Sequence, residues 1–399
     1  MFPRLRFKKF DGDWEKTTIG AKSEIVTSGS RDWAQYYSDS GDKFIRMTNL
    51  VRNGINLDLS DLRFVQLPVG SNEGKRTSLE KGDILISITA ELGKLGWIPE
   101  GLGTAYINQH TALVRMKNTL DSKFVAYALS TEKYNNKLNS LNDSGAKAGL
   151  NLGTIRSFEL TIPSKPEQTQ IASFLSVVDE KISQLTQKLE LLSQYKQGMM
   201  QKLFSQQVRF KADDKSEFGE WEEKELKDIA EINPKSKKLP ESFIYIDLES
   251  VEKGQLLLQK NIELQDAPSR AQRLLAKGDV LFQMVRPYQQ NNYYFNLSGE
   301  YVASTGYAQI RTKLDSKFIY YALHEKTFLD EVMNRCTGTS YPAINSSDLS
   351  SIEILIPCLE EQTKIANFLS AIDQKIEVVA QQIEQAKTWK KGLLQQMFI

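Results

Sequence analysis

The stretch IPSKPEQTQIASFLSVVDEKI, Ile162 to Ile182, returns near the end of the chain as IPCLEEQTKIANFLSAIDQKI, Ile356 to Ile376. The two copies are offset by 194 residues, and 13 of their 21 positions are identical. Shared helical composition does not produce identity at this level. The stretch therefore indicates an internal repeat, which has to be recognised before any finer assignment of structure.

The repeat extends well beyond this stretch. Two more pairs share the offset of 194, and a third pair upstream has drifted slightly in register: LDSKFVAYAL at Leu120 with LDSKFIYYAL at Leu314, KQGMMQKLF at Lys196 with KKGLLQQMF at Lys390, and KGDILISI at Lys81 with KGDVLFQM at Lys277. The chain is thus predicted to consist of two similar halves, each with a variable region followed by a constant region.

The constant regions carry the apolar pattern of a coiled coil. Apolar residues recur at spacings of four and three, in identical phase in the two copies: Ile171, Leu175, Val178, Ile182, Leu185, Leu189, Leu192, Met199 and Leu203, then Ile365, Leu369, Ile372, Ile376, Val379, Ile383, Ala386, Leu393 and Met397. A mean spacing of 3.5 residues keeps one stripe facing a partner helix. Lys196 and Lys390 interrupt the stripe at equivalent places. We expect two long helices that pair with each other, antiparallel, with a pseudo-twofold relation between the repeats.

The variable regions contain short β-type runs separated by Gly, Asn and Asp, and each predicts a compact mixed α/β domain. The expected fold class is α+β, with these boundaries: first domain 1–161, first long helix 162–205, charged linker 206–220, second domain 221–355 and second long helix 356–399.

Composition narrows the class of protein without identifying it. The chain has 399 residues, a formal net charge of +1 and only two cysteines, Cys336 and Cys358. Near-neutral charge gives no bulk signal for nucleic acid, and no Cys/His cluster has zinc spacing. No stretch approaches the roughly 18 apolar residues of a membrane span, and the start lacks the apolar segment of a signal peptide. We therefore expect a cytoplasmic protein that has no membrane association.

The repeated IPxxxEQxxIAxFLxxxDxKI, the following heptads and the repeated KxGLLQQMF-type ending resemble the specificity subunits of type I restriction-modification enzymes. APSRAQRLLAKGDVLFQMVRPY, 267–288, and TGTSYPAINSSDL, 337–349, resemble phrases of that family's target recognition domains. The resemblance covers essentially the whole chain. It implies that the two variable domains are target recognition domains, each reading one half of a bipartite asymmetric DNA target.

The resemblance also implies the partners. They are double-stranded DNA, two methylation (M) subunits and, in the full complex, restriction (R) subunits. This chain would be a non-catalytic subunit without cofactors of its own, which directs adenine methylation or cleavage. S-adenosylmethionine, ATP and magnesium would belong to the partner subunits. The sequence agrees, because it has neither a GxGxxG after a strand nor a GxxxxGK[ST] loop.

Residues that bind DNA are expected in loops rich in Arg, Lys, amides and small polar side chains. The candidates in the first domain are Arg46, Thr48 and Asn49 of FIRMTNL, with Lys147 and Asn151 of SGAKAGLN. The candidates in the second domain are Arg286, Tyr288, Gln289 and Asn291 after KGDVLFQM, with Thr339, Ser340 and Tyr341 in a Gly-containing loop.

The repeated EQ pairs, Glu167-Gln168 and Glu361-Gln362, have two interpretations. They could form paired polar surfaces for two identical methylation subunits, or they could supply first-turn acids that favour the helix dipole.

Two other classes of protein remain open at this point. A coiled-coil scaffold or adaptor would use both domains to bind proteins, and salt-dependent duplex binding would distinguish it from a DNA reader. A self-contained methyltransferase-nuclease is disfavoured by the missing motifs. The sequence does not reveal the DNA target, because base readout depends on loop geometry and DNA shape.

Overall fold

The computed structural model describes residues 3–141, 149–236 and 238–398. The chain forms two compact units. Unit 1 contains Met1–Thr186 and Gln381–Ile399, and unit 2 contains Gln187–Ala380. Each long helix therefore contributes one part to each unit.

Unit 1 is built from short strands and four short helices, followed by the first long helix. Its strands are β1 Glu15–Thr18, β2 Ser23–Ser28, β3 Tyr37–Ser38, β4 Asp42–Ile45, β5 Arg63–Val65, β6 Ile84–Ser87, β7 Leu95–Trp97, β8 Ala105–Ile107, β9 Thr111–Met116 and β10 Glu159–Ile162. Its helices are α1 Ile19–Lys22, α2 Ser122–Ser130, α3 Glu132–Ser140, α4 Leu152–Ser157 and the first part of α5 Lys165–Phe204.

Unit 2 has a similar but not identical order of elements. Its strands are β11 Glu222–Glu225, β12 Ala230–Ile232, β13 Ser242–Ile246, β14 Val251–Glu252, β15 Gln255–Leu256, β16 Lys260–Glu263, β17 Ala271–Leu274, β18 Val280–Gln283, β19 Tyr293–Tyr294, β20 Tyr301–Ser304, β21 Tyr307–Thr312 and β22 Glu353–Ile356. Its helices are α6 Leu226–Ile229, α7 Ser316–Ala322, α8 Lys326–Arg335, α9 Ser346–Ser350 and the first part of α10 Leu359–Met397.

The sheet topology is nearly the same in the two units. One four-stranded sheet has the order β2-β9-β6-β7 in unit 1 and β12-β21-β18-β19 in unit 2. A second sheet shares the trio β5-β4-β8 with β16-β13-β20, in which β4 with β8 and β13 with β20 are parallel. Its fourth strand differs, because β3 adds beyond β5 in unit 1 and β17 adds beyond β20 in unit 2. The fold is therefore α+β and internally repeated, as the sequence predicts.

A buried aspartate precedes the central strand of each first sheet. Asp83, before β6, accepts two bonds of 2.8 Å from Arg115 of β9, and Asp279, before β18, accepts two bonds of 2.7 Å from Arg311 of β21. Both aspartates are 1% exposed. Because a buried carboxylate is costly unless it is paired and hydrogen-bonded, these pairs explain why KGD is repeated in otherwise variable domains.

The two long helices pair antiparallel. Asp179 binds Lys390 at 2.5 Å, while Lys196, further along α5, binds Asp373, further back along α10, at 2.6 Å. Every predicted seam position is buried or half-buried. The lysines that interrupt the apolar stripe therefore have a role in the pairing, since each contacts an aspartate of the other repeat. In the part of the chain that the structure describes, no helix is both long enough and apolar enough to span a membrane.

A tyrosine from α2 in unit 1, and one from α7 in unit 2, hydrogen-bonds to the aspartate of each ion pair. Tyr127 of LDSKFVAYAL donates its hydroxyl proton to Asp179 at 2.7 Å, and Tyr321 of LDSKFIYYAL donates to Asp373 at 2.7 Å. Burial, with the nearby aspartate, raises the pKa of both tyrosines, so both stay protonated at neutral pH. The repeated Asp, Tyr and Lys are thus one structural contact, formed once in each unit.

The repeated EQ pairs are not surfaces for a partner. Glu167, Gln168, Glu361 and Gln362 are at most 1% exposed, so the expectation of an exposed polar surface is wrong for these side chains. The two glutamines hold the residues that cap α2 and α7. Gln168 accepts from the Asp121 backbone N–H at 3.0 Å and donates to Pro163 O at 2.8 Å. Gln362 makes the same two bonds with Asp315 and Pro357.

The two glutamates hold the segment that leads into each domain. Glu167 binds Arg6 through two bonds of 2.7 and 2.8 Å, and Glu361 binds Arg209 through two bonds of 3.1 and 2.8 Å. Arg209 lies in segment 206–220, which we expected to be a linker. This segment does connect α5 to β11, and it is also packed, because Phe210 contacts Phe368 with ring centroids 5.7 Å apart.

Candidate nucleic-acid interface

Three loops meet in unit 2, and we call residues 247–253, 285–292 and 337–343 its loop face. Lys253 donates its backbone N–H to Asn291 Oδ1 at 3.0 Å, which joins the first loop to the second. Arg286 donates its backbone N–H to Pro342 O at 2.7 Å, which joins the second loop to the third. The structure therefore brings together the candidates from two separate stretches of the sequence.

Arg286 and Tyr341 form the centre of this face. Arg286 has a left-handed backbone, with φ of 54°, and its guanidinium carbon lies 4.1 Å from the centre of the Tyr341 ring. Tyr341 remains 63% exposed. Cation–π stacking of this kind holds the guanidinium plane without consuming its hydrogen-bond donors. The pair thus presents several N–H groups and an aromatic face, which is chemistry suited to nucleic acid.

The buried side chain of Gln283, at the end of β18, fixes the shape of the second loop. It donates to Val285 O and to Gln289 Oε1, both at 2.8 Å, and it accepts from the Asn291 N–H at 3.0 Å. Gln289 and Asn291 are therefore partly engaged inside the loop. Tyr288, Thr339 and Ser340 are exposed.

His324 contacts the same loop through Asn292. Its Nδ1 lies 2.7 Å from Tyr320 O, so Nδ1 carries the proton, and Nε2 accepts from Asn292 at 3.4 Å. Burial lowers the pKa of His324, which keeps the ring neutral at pH 7. This histidine positions the loop and adds no charge to it.

Unit 1 has an equivalent loop face, formed by residues 46–52, 89–94 and 149–151. Arg52 donates to Leu92 O at 2.7 Å, and Thr89 forms a β-bridge with Gly149. The bridge between Val285 and Ala343 occupies the matching place in unit 2. Ala90, with φ of 56°, stands where unit 2 has Arg286, so the backbone shape is shared while the side chain differs.

Three of the unit 1 candidates lie at the first of these loops. Arg46 binds Asp61 at 2.6 Å, and Thr48 is exposed. Asn49 is 1% exposed, accepts from the Arg46 N–H at 2.9 Å and donates to Asp58 O at 2.8 Å. Asn49 thus shapes the turn, and a base contact by its amide would require the turn to open.

The remaining unit 1 candidates lie at the third loop. Asn151 caps α4, because its Oδ1 accepts from the Thr154 N–H at 2.8 Å, and Asn345 caps α9 in the same way through Asp348. The repeat of this contact indicates a structural role. Lys147 lies outside the described residues. Whether any of these candidates contacts DNA stays a prediction.

Sequence reasoning missed the residues that hold the loops. Gln283 and its counterpart Ser87 sit at the end of buried strands, and Ser87 accepts from the Lys94 N–H at 2.8 Å just as Gln283 accepts from Asn291. The sequence signal for these two residues is a polar side chain in an otherwise apolar strand, at the same position of both repeats. In the described part of the chain, no group of three or more His, Cys, Asp or Glu is arranged to hold a metal ion.

The comparisons with known proteins agree on one family. The model of the type I restriction modification DNA specificity domain matches residues 12–194 and 219–388, once in each repeat. A putative type I restriction enzyme MjaX specificity subunit from Methanocaldococcus jannaschii is 27% identical, over 98% of this chain and 94% of that protein. The MjaVIII specificity subunit of the same organism is 28% identical, over 60% of each chain.

Solved structures show the same fold. The S subunit of a type I restriction-modification system from M. genitalium aligns over 100% of this chain and 99% of its own, with a TM-score of 0.64 and 16% identity. A chain from a structure of type I system assembly and conformational transition aligns over 97% of this chain and 98% of its own, with a TM-score of 0.52 and 15% identity. With the family model matching both repeats, this chain belongs to the type I restriction-modification DNA specificity family.

Proposed function

We propose that the two units of this DNA specificity subunit each read one half of a bipartite, asymmetric target. The chain would direct partner subunits to methylate adenine within that target or to cleave the DNA. Its own contribution is recognition, and the methyl donor S-adenosylmethionine, ATP and magnesium would act on the partner subunits.

One observation carries this proposal. The contacts formed by repeated residues recur pair by pair in the two units, whereas the exposed side chains of the two loop faces differ. Asp179 with Lys390 matches Asp373 with Lys196, yet Ala90 stands in place of Arg286. A protein that must recognise two different half-sequences through one scaffold needs this division between constant support and variable loops.

Two methylation subunits are the partners we expect, and restriction subunits would join in the full complex. A duplicated chain offers two similar environments, which fits two copies of one partner. Because the EQ pairs are buried, those contacts would have to use other surfaces of the repeated regions. A function on chromosomal DNA also fits our expectation of a cytoplasmic protein.

A methylome comparison tests the proposal directly. Single-molecule sequencing of DNA from cells with and without this gene, both carrying active methylation subunits, should show a bipartite adenine mark that disappears with the gene. If the adenine marks are identical in the two strains, the proposal is wrong.

Duplex binding separates a DNA reader from a protein-binding adaptor. The complex of the full chain with its methylation subunits should bind its target less tightly as salt rises, because each phosphate contact releases counterions. The logarithm of the binding constant should fall by about 0.9 per phosphate contact for each tenfold rise in salt. Absence of target binding at low salt would favour the adaptor.

A further inference from the structure

We propose that a cavity in unit 1 is a base-reading site, with Gln109 and His110 as specificity-determining residues for one half of the DNA target. This inference rests on the proposed function and assigns part of it to named side chains. We call this feature the His110 cavity. It has a volume of about 520 Å³ and is lined by Ser28, Gly29, Ser30, Arg31, Thr89, Gln109 and His110.

A chain of three polar side chains forms one side of the cavity. Gln109 Nε2 lies 2.9 Å from His110 Nε2, and His110 Nδ1 lies 2.8 Å from Thr89 Oγ1. With the amide nitrogen donating to Nε2, the imidazole donates from Nδ1 to the threonine. The Thr89 hydroxyl proton and the Gln109 carbonyl oxygen then remain for a ligand, since no bond to either is found in the described part of the chain.

The backbone around the cavity is held rigidly. His110 donates its N–H to Asn108 Oδ1 at 3.1 Å, and its carbonyl accepts from the Ile88 N–H at 3.0 Å. Gly29 leaves no room for a side chain, because a Cβ there would lie 2.5 Å from Asn108 O. A site fixed in this way can discriminate between ligands, because its polar groups do not rearrange to suit a poor one.

The cavity lies beside the loop face of unit 1. Thr89 belongs to both, since it lines the cavity and bridges to Gly149 of the third loop. Leu150 donates its N–H to Ile88 O at 3.0 Å, directly before Thr89. A duplex bound at the loop face would therefore bring its base edges to the Thr89 side of the cavity.

The chemistry of the lining favours a base edge over a phosphate. Amide, imidazole and hydroxyl groups both donate and accept hydrogen bonds, and that combination matches the donor and acceptor patterns of the major groove. Among the described residues, Arg31 is the one cation in the lining, and it is exposed. A phosphate site would need more positive charge or a cluster of free backbone N–H groups.

Unit 2 has no counterpart of this set of side chains. The positions that correspond to Thr89, Gln109 and His110 through the KGD register are Val285, Thr305 and Gly306. The effect of the cavity should therefore be confined to the half-site that unit 1 reads. The other half-site then serves as a control within every binding experiment.

The test is selection of duplexes from a random pool by the full chain in complex with its methylation subunits. Gln109→Glu keeps the size of the side chain and removes the amide donor to His110 Nε2. Nε2 then donates to the carboxylate and Nδ1 accepts from Thr89, so the Thr89 hydroxyl proton is no longer available to a ligand. We expect this variant to change the preferred base at one or two adjacent positions of one half-site, by roughly 5- to 150-fold in relative affinity, which corresponds to about 1–3 kcal/mol per base contact. The other half-site should be selected unchanged.

Two further variants make the result decisive. His110→Asn keeps a polar group near Thr89 and loses Nε2, so it should alter the same positions as Gln109→Glu. Thr305→Ala, at the matching place of unit 2, should leave the unit 1 half-site unchanged.

Three outcomes are distinguishable. Unchanged selection by both Gln109→Glu and His110→Asn would overturn the inference, as would a loss of affinity that is equal for all sequences, which indicates a backbone contact. Absence of any sequence preference in the wild-type complex would instead overturn the proposed function.

Discussion

The two units retain the same contacts in their constant regions and present different side chains on their loop faces. Asp179 with Lys390 in unit 1 has its equivalent in Asp373 with Lys196 in unit 2. The loops after β6 and β18 share a left-handed residue with φ of 56° and 54°, but this residue is alanine in one unit and arginine in the other. The difference shows that backbone shape is kept while surface chemistry is exchanged.

The largest effect on stability should come from Glu361→Ala. The side chain of Glu361 is fully buried and binds both Arg209 and the indole N–H of Trp221, at 3.1 Å. Removing it leaves the half-buried Arg209 without its carboxylate and the Trp221 indole without its acceptor, which costs up to about 3–5 kcal/mol of unfolding free energy. The measurement is the urea midpoint of the full chain.

Glu167→Ala is the matched variant in unit 1. It should cost less unfolding free energy. The indole N–H of Trp14 has no hydrogen-bond partner among the described residues, so this variant breaks no bond to the indole. Glu361→Gln, which keeps the side-chain volume, should fall between the two alanine variants. Equal losses for Glu361→Ala and Glu167→Ala would contradict this account.

The next effect concerns the ion pairs between the long helices. A double-mutant cycle on Asp179→Asn and Lys390→Met should give a coupling energy of about 1–3 kcal/mol. The same cycle on Asp373 and Lys196 should give less, because those side chains are 37% and 24% exposed, compared with 11% and 12% for the first pair.

Salt sharpens this comparison. The more exposed pair is screened more strongly, so its coupling should weaken further in 1 M salt. A larger coupling for the Asp373 pair, or equal salt sensitivity of the two pairs, would show that exposure does not govern their strength.

A smaller effect, on DNA affinity, is expected for Arg286→Ala. Losing the guanidinium and its stacking on Tyr341 should weaken target binding by about 1–2 kcal/mol, with no change in melting temperature. Arg286→Lys keeps the charge and loses the planar fork, so it should give an intermediate affinity. Fluorescence anisotropy at one fixed salt concentration measures both variants, and equal affinity of the lysine variant and wild type would show that charge alone matters.

The smallest expected effect appears at alkaline pH. The pKa of Tyr127 is raised above its usual 10.0 in the folded chain, mainly by burial. Its contribution to stability is therefore complete below pH 10 and is lost as the pH rises, because the unfolded chain ionises first. At about pH 10.5 the loss should be just under 1 kcal/mol for this tyrosine.

Tyr127→Phe should remove that part of the alkaline decline. The comparison needs the difference between variant and wild type, because other buried tyrosines such as Tyr307 also have a raised pKa. Identical pH profiles above pH 10 for the two proteins would contradict the assignment.

The constant regions could be predicted well from the sequence. The heptad spacing and the offset of 194 residues gave the two helices, their pairing and the positions of Lys196 and Lys390. The role of the EQ pairs could not be predicted in this way. Glu167 meets Arg6, which lies 161 residues earlier, and periodicity along a helix contains no information about so distant a partner.

The loop faces were predicted in outline. Separate stretches of the sequence, such as those of Arg286 and Tyr341, do lie together. The roles of Asn49 and Asn151 were not predictable, because an asparagine that shapes a turn or caps a helix has the same composition signal as one that contacts a base. The His110 cavity was also missed, since its side chains come from three distant strand ends.

The division of the chain has a consequence for its synthesis. The core of unit 1 includes Leu393, Met397 and Phe398, whereas unit 2 is one continuous segment. On the ribosome, the second half of the molecule therefore has all its residues before the first half does. The domain that is translated first must wait, with part of its apolar surface uncovered, for the last turn of α10 to emerge.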